Sequence, residues 1–524
     1  MSFLLNNKFF IIFLAPFFLG AITVFTFSPY NLTFINFFSF SLLLFLVLNI
    51  KKKTQSIYRK KKSLRYFFYT GCAFGFGFFL FGNYWISISL THDEIFKSLI
   101  PIALILIPIF LSFFFGFVIL IVGPFAEKSI FYILFFSTIF SIFEFLRGNV
   151  LTGFPWNLIA YTWSWSLEVT QILSFVGTYS LSAFSIIIFC CPFLFFQSKI
   201  LKKNVIFSLV CSIIFISNYL YGFYKIKNNI YNFDKTINVK IISPNFSLKD
   251  YKNQSEISQL KRLIKISNPD KNKKTLFIWP EGIFYESYLQ DIKRYKDLFN
   301  DNFTENHLII LGINNIVNSS NLNSQKYFNS FVIINSKLEI LSLYNKIHLV
   351  PFGEFLPLEN LLSKFGLKKI TRGYSSFSAG DIRPTLNLGN NFNDKLILPL
   401  VCYEIIYSGK IKNNKQFPDL VVNISEDAWF GSSIGPFQHF SKAIYRSIEE
   451  GVFTARSANK GISAFIDPNG KVIKSLNTRE SGNITLNFPL FHQSTLFSHY
   501  GNKIFFLIIF LYILLALIFK KLKI

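Results

Sequence analysis

Three apolar runs in the second half of the chain each end on polar side chains of different chemistry. "LFIWPEG" delivers Glu281, "LYNKIHLVPFGEFLP" delivers Lys346 and then Glu354, and "LPLVCYE" delivers Cys402 with Tyr403 and Glu404. An unperturbed thiol ionises at about 8.5, so as a nucleophile it needs a base or a positive field. Glu281 can take the thiol proton. Lys346 can favour the thiolate and then hold an oxyanion, together with a backbone N–H just after Cys402. If the runs are strands lying side by side, their ends meet at one pocket and supply a complete acyl-transfer constellation. Taken singly, each residue also has a plainer reading. Glu281 after Trp-Pro can be a turn carboxylate in an ion pair, Lys346 a surface lysine, and Glu354 the cap of a helix starting at Phe355. His348 and His439 read as structural histidines. No metal-ligand spacing occurs, so no metal is expected.

The elements that must position these groups are short β-rich runs near 237–245, 275–281, 307–316, 331–347, 396–406, 419–427 and 461–476. Helix-like stretches such as "SEISQLKRLIKIS" and "FSKAIYRSIEEGVFTARSA" interleave with them. Strands alternating with helices predict an α/β or α+β layered domain over residues 228–500. "DPNGK" at 467–471 is a hairpin turn signal.

The flanks are of another kind. Of 524 residues, 51% are apolar and 19% aromatic, more than a soluble chain of this size can hide. A helical span needs about 20 predominantly apolar residues. Eight candidates lie near 9–27, 32–50, 67–90, 98–123, 129–146, 172–196, 205–222 and 504–519. The first lacks a small-residue cleavage site and reads as a span, not a removed leader. The expected division is therefore a membrane domain at 1–227 with seven transmembrane helices, an inserted domain at 228–500, and an eighth helix with its tail at 501–524. The basic segments "KKKTQSIYRKKKSLR", "QSKILKK" and "KKLKI" all fall on one side under this count. The positive-inside rule makes that side cytoplasmic and turns the inserted domain outward. The net charge of +25 sits largely beside apolar spans, so membrane and not nucleic acid is the expected partner.

Of the five cysteines, Cys72, Cys190, Cys191 and Cys211 fall inside predicted spans, where a thiol acts as a small hydrophobe. Cys402 is the only one in the outward domain. An unpaired thiol there is either inert and buried or reactive.

Glu281, Lys346 and Cys402 in that order, framed by "WPE", "NKIHLVPFGEFLP" and "VCYE", resemble the nitrilase (carbon–nitrogen hydrolase) superfamily, whose fold is a four-layer αββα sandwich. "FEFLRGNVLTGFPWNLIAYTW" (143–163) and "NISEDAWFGSSIGPFQH" (423–439) are similar to segments of bacterial apolipoprotein N-acyltransferases. The resemblance covers the whole chain: eight transmembrane helices with an extracytoplasmic nitrilase-like domain inserted before the last. It implies transfer of an acyl chain from a phospholipid to the α-amine of the diacylglyceryl-cysteine of an apolipoprotein, through a thioester on Cys402. The setting implied is the bacterial inner membrane, with the catalytic domain on the periplasmic side and the protein a monomer. No cofactor is called for, because the ester already carries the activation. Supporting roles fall to Glu354, Tyr403 and Glu404. Trp429 and Phe430 can line an acyl or lipid-facing groove or be core aromatics. Arg147 can hold a phosphate or pair with Glu144. Two positions depart from the family pattern. Asp250 and Tyr251 stand where a Trp is usual, so that a lipid contact there is either lost or passes to Tyr251, and Glu426 stands where Asn is expected.

Two other readings predict different behaviour. A membrane-tethered amidase or esterase would share the triad, with water resolving the thioester. A transporter or receptor would place polar residues inside the spans, whereas these are rich in Phe, Ile and Leu and nearly free of charge.

Overall fold

The computed structural model describes residues 7–54, 60–92, 94–196, 202–248, 250–318, 325–357, 376–412, 416–490 and 493–522. The chain divides into two compact units, Met1–Asn228 with His499–Ile524, and Asn229–Ser498.

Among the described residues, the first unit has seven helices long and apolar enough to cross a membrane. They are Ile35–Lys53, Ser63–His92, Phe96–Phe125, Ile130–Asn149, Leu173–Phe195, Lys202–Asn228 and Lys503–Lys521, and a shorter apolar helix, Phe10–Thr26, precedes them. The eight expected segments fall on these eight elements. The first helix packs tightly on the third because small residues let the backbones approach. A Cβ at Gly20 would run into the Phe74 carbonyl, and one at Gly77 into the Phe17 carbonyl. The basic segments that orient the spans lie partly outside the described residues.

In the second unit, alternation of period two builds two sheets. The first contains β1 (Phe233–Ser243), β2 (Thr275–Ile278), β3 (Phe284–Tyr288), β4 (His307–Asn318), β5 (Gln325–Asn335) and β6 (Ile340–Asn345). The second contains β7 (Leu386–Asn387), β8 (Leu396–Val401), β9 (Leu420–Glu426), β10 (Phe453–Asn459), β11 (Ser463–Ile466) and β12 (Val472–Leu476). The last strand, β13 (Gly482–Pro489), returns to the first sheet. The orders are β13-β1-β2-β4-β5-β6, with β3 on β4, and β12-β11-β10-β9-β8-β7. Leu276 and Ile278 turn inward with Ile310 and Ile333 to meet Val401, Val422 and Ile424 of the facing sheet. Their neighbours Phe277, Trp279 and Ile309 turn outward, where Leu260 and Leu263 of the helix Glu256–Ser267 cover them. The helix Gly435–Glu450 packs on the second sheet. The layers thus follow the αββα order. Each fully buried aliphatic side chain contributes about 1.5–3 kcal/mol, so inter-sheet packing sets the strand register and with it the strand ends.

Two details differ from the pattern reading. The expected strand 331–347 is a hairpin, with β5 and β6 reversed at Leu338 in left-handed backbone. "FSKAIYRSIEEGVFTARSA" is helical only to Glu450. Gly451 (φ 70°) ends the helix by donating its N–H to Ser447 O, and the remainder is β10. The "DPNGK" turn joins β11 to β12, with Asp467 Oδ1 accepting from the N–H groups of Asn469 and Lys471.

Candidate active site

Glu281 sits three residues beyond β2, on a turn completed by Gly282 at φ +73°. Both of its oxygens are held: Oε1 accepts from Asn329 Nδ2 at 2.6 Å and Oε2 from the backbone N–H of Glu426 at 3.0 Å. Lys346 follows β6 directly, and its side chain is 1% exposed. Its ammonium lies 2.9 Å from Glu354 Oε2 and 3.8 Å from Glu281 Oε1. Asn329, on β5, spans the two acids, its amide also donating to Glu354 Oε1 at 2.7 Å. Glu354 takes a further N–H from Val350. Its carboxylate therefore faces Lys346, and Phe355, expected to start a helix, instead bridges to Pro351.

Cys402 follows β8 and adopts φ +50°, a left-handed conformation that a side chain bearing a Cβ rarely takes. Such strain persists only where the surroundings enforce it. Asn423 Nδ2 donates to the Cys402 carbonyl at 3.4 Å. Behind the turn, the fully buried Glu404 gathers five donors. Oε1 accepts from Arg383 Nη2 (2.6 Å), Tyr344 Oη (2.6 Å) and the N–H groups of Ile347 (3.0 Å) and His348 (3.2 Å), and Oε2 accepts from Val401 N–H (2.9 Å). One carboxylate thereby ties the residue after Lys346 to the residue before Cys402.

Burial and neighbouring charges shift each of these groups. Burial pushes the Glu281 carboxyl up and Glu354 adds to this, with Lys346 opposing. Burial alone would lower Lys346, but Glu354 and Glu281 outweigh it and hold the ammonium protonated. Burial, with Glu281 next, pushes the Cys402 thiol well above its ordinary value; Lys346 and a hydrogen bond from Ser425 oppose without prevailing. Lys346, paired with Glu354, acts against this rise without reversing it. Glu404 is the contrast: burial raises it, but the Arg383 guanidinium outweighs burial and keeps it ionised.

The structure brings Glu281, Lys346, Glu354, Cys402 and Glu404 into one cluster. Tyr403 is buried, its ring edge-on to Tyr407 at 5.5 Å. Trp429 is half-buried. Tyr251 is buried, with its hydroxyl 3.1 Å from Glu426 Oε2, and so is not a lipid contact. Arg147 lies in the other unit at 3% exposure, donating to the carbonyls of Phe154 (2.8 Å) and Asn157 (3.3 Å), 3.9 Å from Glu144 and over the Phe79 ring. It braces its own loop and lies within ion-pair reach of Glu144, the second of the two expectations. His348 and His439 are both lowered to about 4, by burial first and then by Arg383 and Arg456 respectively, and stay neutral. Sequence reasoning passed over Asn329 and Arg383. Neither ends an apolar run, and only strand pairing and loop return carry them to the acids.

The family model for the apolipoprotein N-acyltransferase N-terminal domain matches residues 19–221, and that for carbon-nitrogen hydrolase matches residues 270–490. The apolipoprotein N-acyltransferase of Rickettsia prowazekii is 34% identical over 459 residues, covering 86% of this chain and 90% of that one. The protein of the same name from Allorhizobium ampelinum is 28% identical over 478 residues, covering 90% and 88%. With both units matched in order and a relative above 30% identity nearly end to end, this chain belongs to the apolipoprotein N-acyltransferase family.

Proposed function

We propose that the protein is an acyltransferase that moves an acyl chain from a phospholipid to the N-terminal amine of diacylglyceryl-cysteine in apolipoproteins. The reading rests above all on the convergence of Glu281, Lys346 and Glu354 beside a strained Cys402, in a chain of this family. Glu281 takes the thiol proton as the sulfur attacks the ester carbonyl. Lys346 and the N–H of Tyr403 stabilise the oxyanion. Collapse breaks the ester C–O bond, Glu281 returns its proton to the alkoxide, and a lysophospholipid leaves a thioester on Cys402. The amine then attacks the thioester, Glu281 accepts its proton, and the C–S bond breaks. That proton passes to the thiolate as the amide departs. The order is ping-pong.

We assign this chemistry to residues 228–500, with residues 1–227 and 501–524 as the membrane domain. We further assign the protein, as a monomer, to a bacterial inner membrane, and an orientation with the catalytic domain facing outward fits the distribution of Lys and Arg. Moving an acyl chain into water costs about 0.8 kcal/mol per CH₂, which favours catalysis by a membrane-anchored domain.

The test is incubation in liposomes with labelled phospholipid and a diacylated lipopeptide, followed by mass analysis of peptide and protein. The expected result is an acylated peptide and, without peptide, an acyl mass on Cys402 that Cys402→Ser lacks. Free fatty acid with unmodified peptide would identify a hydrolase instead, and no acyl mass in either species would overturn the reading.

A further inference from the structure

Glu426 ends β9 in parallel register with Asn459, which ends β10. Its backbone N–H holds Glu281 Oε2, and its own side chain, 6% exposed, lies against the same turn. A Cβ at Gly282 would come 3.9 Å from Glu426 Oε2. The Glu426 carboxyl receives Ala428 N–H (3.0 Å), Asn459 Nδ2 (2.9 Å) and Tyr251 Oη (3.1 Å). Asn459 in turn clamps Phe246, accepting its N–H at 2.8 Å and donating to its carbonyl at 3.0 Å. The two positions that depart from the family pattern are therefore bonded to each other, and together they fasten Phe246 and Tyr251 behind the general base.

No cation is among these partners of Glu426. Lys346 is taken by Glu354, and Arg456 is taken by Asp427 at 2.7 Å, which also binds His439. Among the described residues, the other titratable groups facing the cluster are Tyr251 itself, Tyr285 with its ring 5.2 Å from that of Tyr251, Asp250 on its helix, Glu281 and Cys402. Burial without a counter-cation among these partners, beside the Glu281 carboxyl, favours the neutral form against the pull of the three donors. An ionised one adds an uncompensated anion beside Glu281, where the reaction must already build an oxyanion.

We propose that Glu426, fastened to Tyr251 and Asn459, is a positioning residue that supports acyl transfer only while its carboxyl is neutral, and so sets the alkaline limit of the reaction. This rests on the reading of Glu281 as the general base. Burial first, with Glu281 adding, moves Glu426 up to about 8, while Lys346, Cys402 and Tyr251 are all raised beyond their ordinary values and titrate higher still. Of Glu426, Lys346, Cys402 and Tyr251, Glu426 is then the first to lose a proton above neutrality.

The experiment measures thioester formation on Cys402 from labelled phospholipid in liposomes, without any amine acceptor, between pH 6.5 and pH 9.5. Omitting the amine removes its own titration from the profile. With each protein normalised to its rate at pH 7, one ionisation near 8 lowers the wild-type rate about thirtyfold by pH 9.5. Glu426→Gln, which keeps the shape and cannot ionise, should fall less than about twofold. Tyr251→Phe removes a hydrogen bond that favours the anion, and should move the alkaline limb to higher pH. A purely structural role would lower rates without displacing the limb. Alkaline limbs in both variants that coincide with the wild type overturn the inference. Glu281→Gln serves as the control: if it still forms the thioester, it is the general-base reading that fails.

Discussion

Replacing Arg383 by Gln isolates what the hub behind Cys402 is worth. Arg383 is 1% exposed and Glu404 fully buried, with 2.6 Å between guanidinium and carboxylate. Removing one partner of such a pair costs about 3–5 kcal/mol, because the other charge stays buried and uncompensated. Glu404 keeps Tyr344 Oη and the N–H groups of Ile347, His348 and Val401, so the low end, about 3 kcal/mol, is expected. For a domain of this size each kcal/mol moves the melting temperature by about 2–4 °C, giving a loss of roughly 6–12 °C. Intrinsic-fluorescence melting of the detergent-solubilised protein reads it. The sign with pH is also set. Glu404 is depressed in the folded protein, so its pair stabilises above the unfolded carboxyl value of about 4.3 and loses that stabilisation as pH falls through the folded value. Without Arg383 the carboxyl is raised, so the deficit is full at pH 7 and narrows toward pH 4. A variant melting within about 2 °C of the wild type at pH 7, or a deficit independent of pH, would refute the account.

Three further outcomes follow from named contacts. Lys346→Met should lower kcat for thioester formation by about 10²–10³-fold, the range of one lost oxyanion donor, and near-normal turnover would remove Lys346 from that role. Asn329→Asp places a third carboxylate between Glu281 and Glu354, and should cost the labelled-phospholipid reaction at least about tenfold with partial recovery at lower pH. Recovery at higher pH instead would contradict the bridging role. Arg147→Lys cannot serve the Phe154 and Asn157 carbonyls with one planar fork and should lower the melting temperature. An unchanged melt with a raised KM for phospholipid would restore the phosphate-binding reading.

The amino-acid sequence alone placed eight apolar segments, a layered insert between the seventh and eighth, and three reactive groups at the ends of apolar runs. These are local properties: span length, period-two alternation and the residue that stops each run are all readable within about twenty positions. The helix-to-strand change at Gly451 was less legible, because "GVFTARSA" continues an apolar pattern that suits either element until β9 pairs with it.

Tertiary structure decided the rest. It made the Cys402 proton hard to remove, since burial and two carboxylates outweigh a lysine that Glu354 has already neutralised. It brought Asn329 between the acids, Arg383 onto Glu404, and Tyr251 onto Glu426 across 175 positions of chain. The physical reason is the same throughout. Which groups can act is a matter of residue type and local pattern, but a proton's affinity depends on burial and on the sign of charges a few ångströms away, and sheet order brings those neighbours from distant parts of the chain.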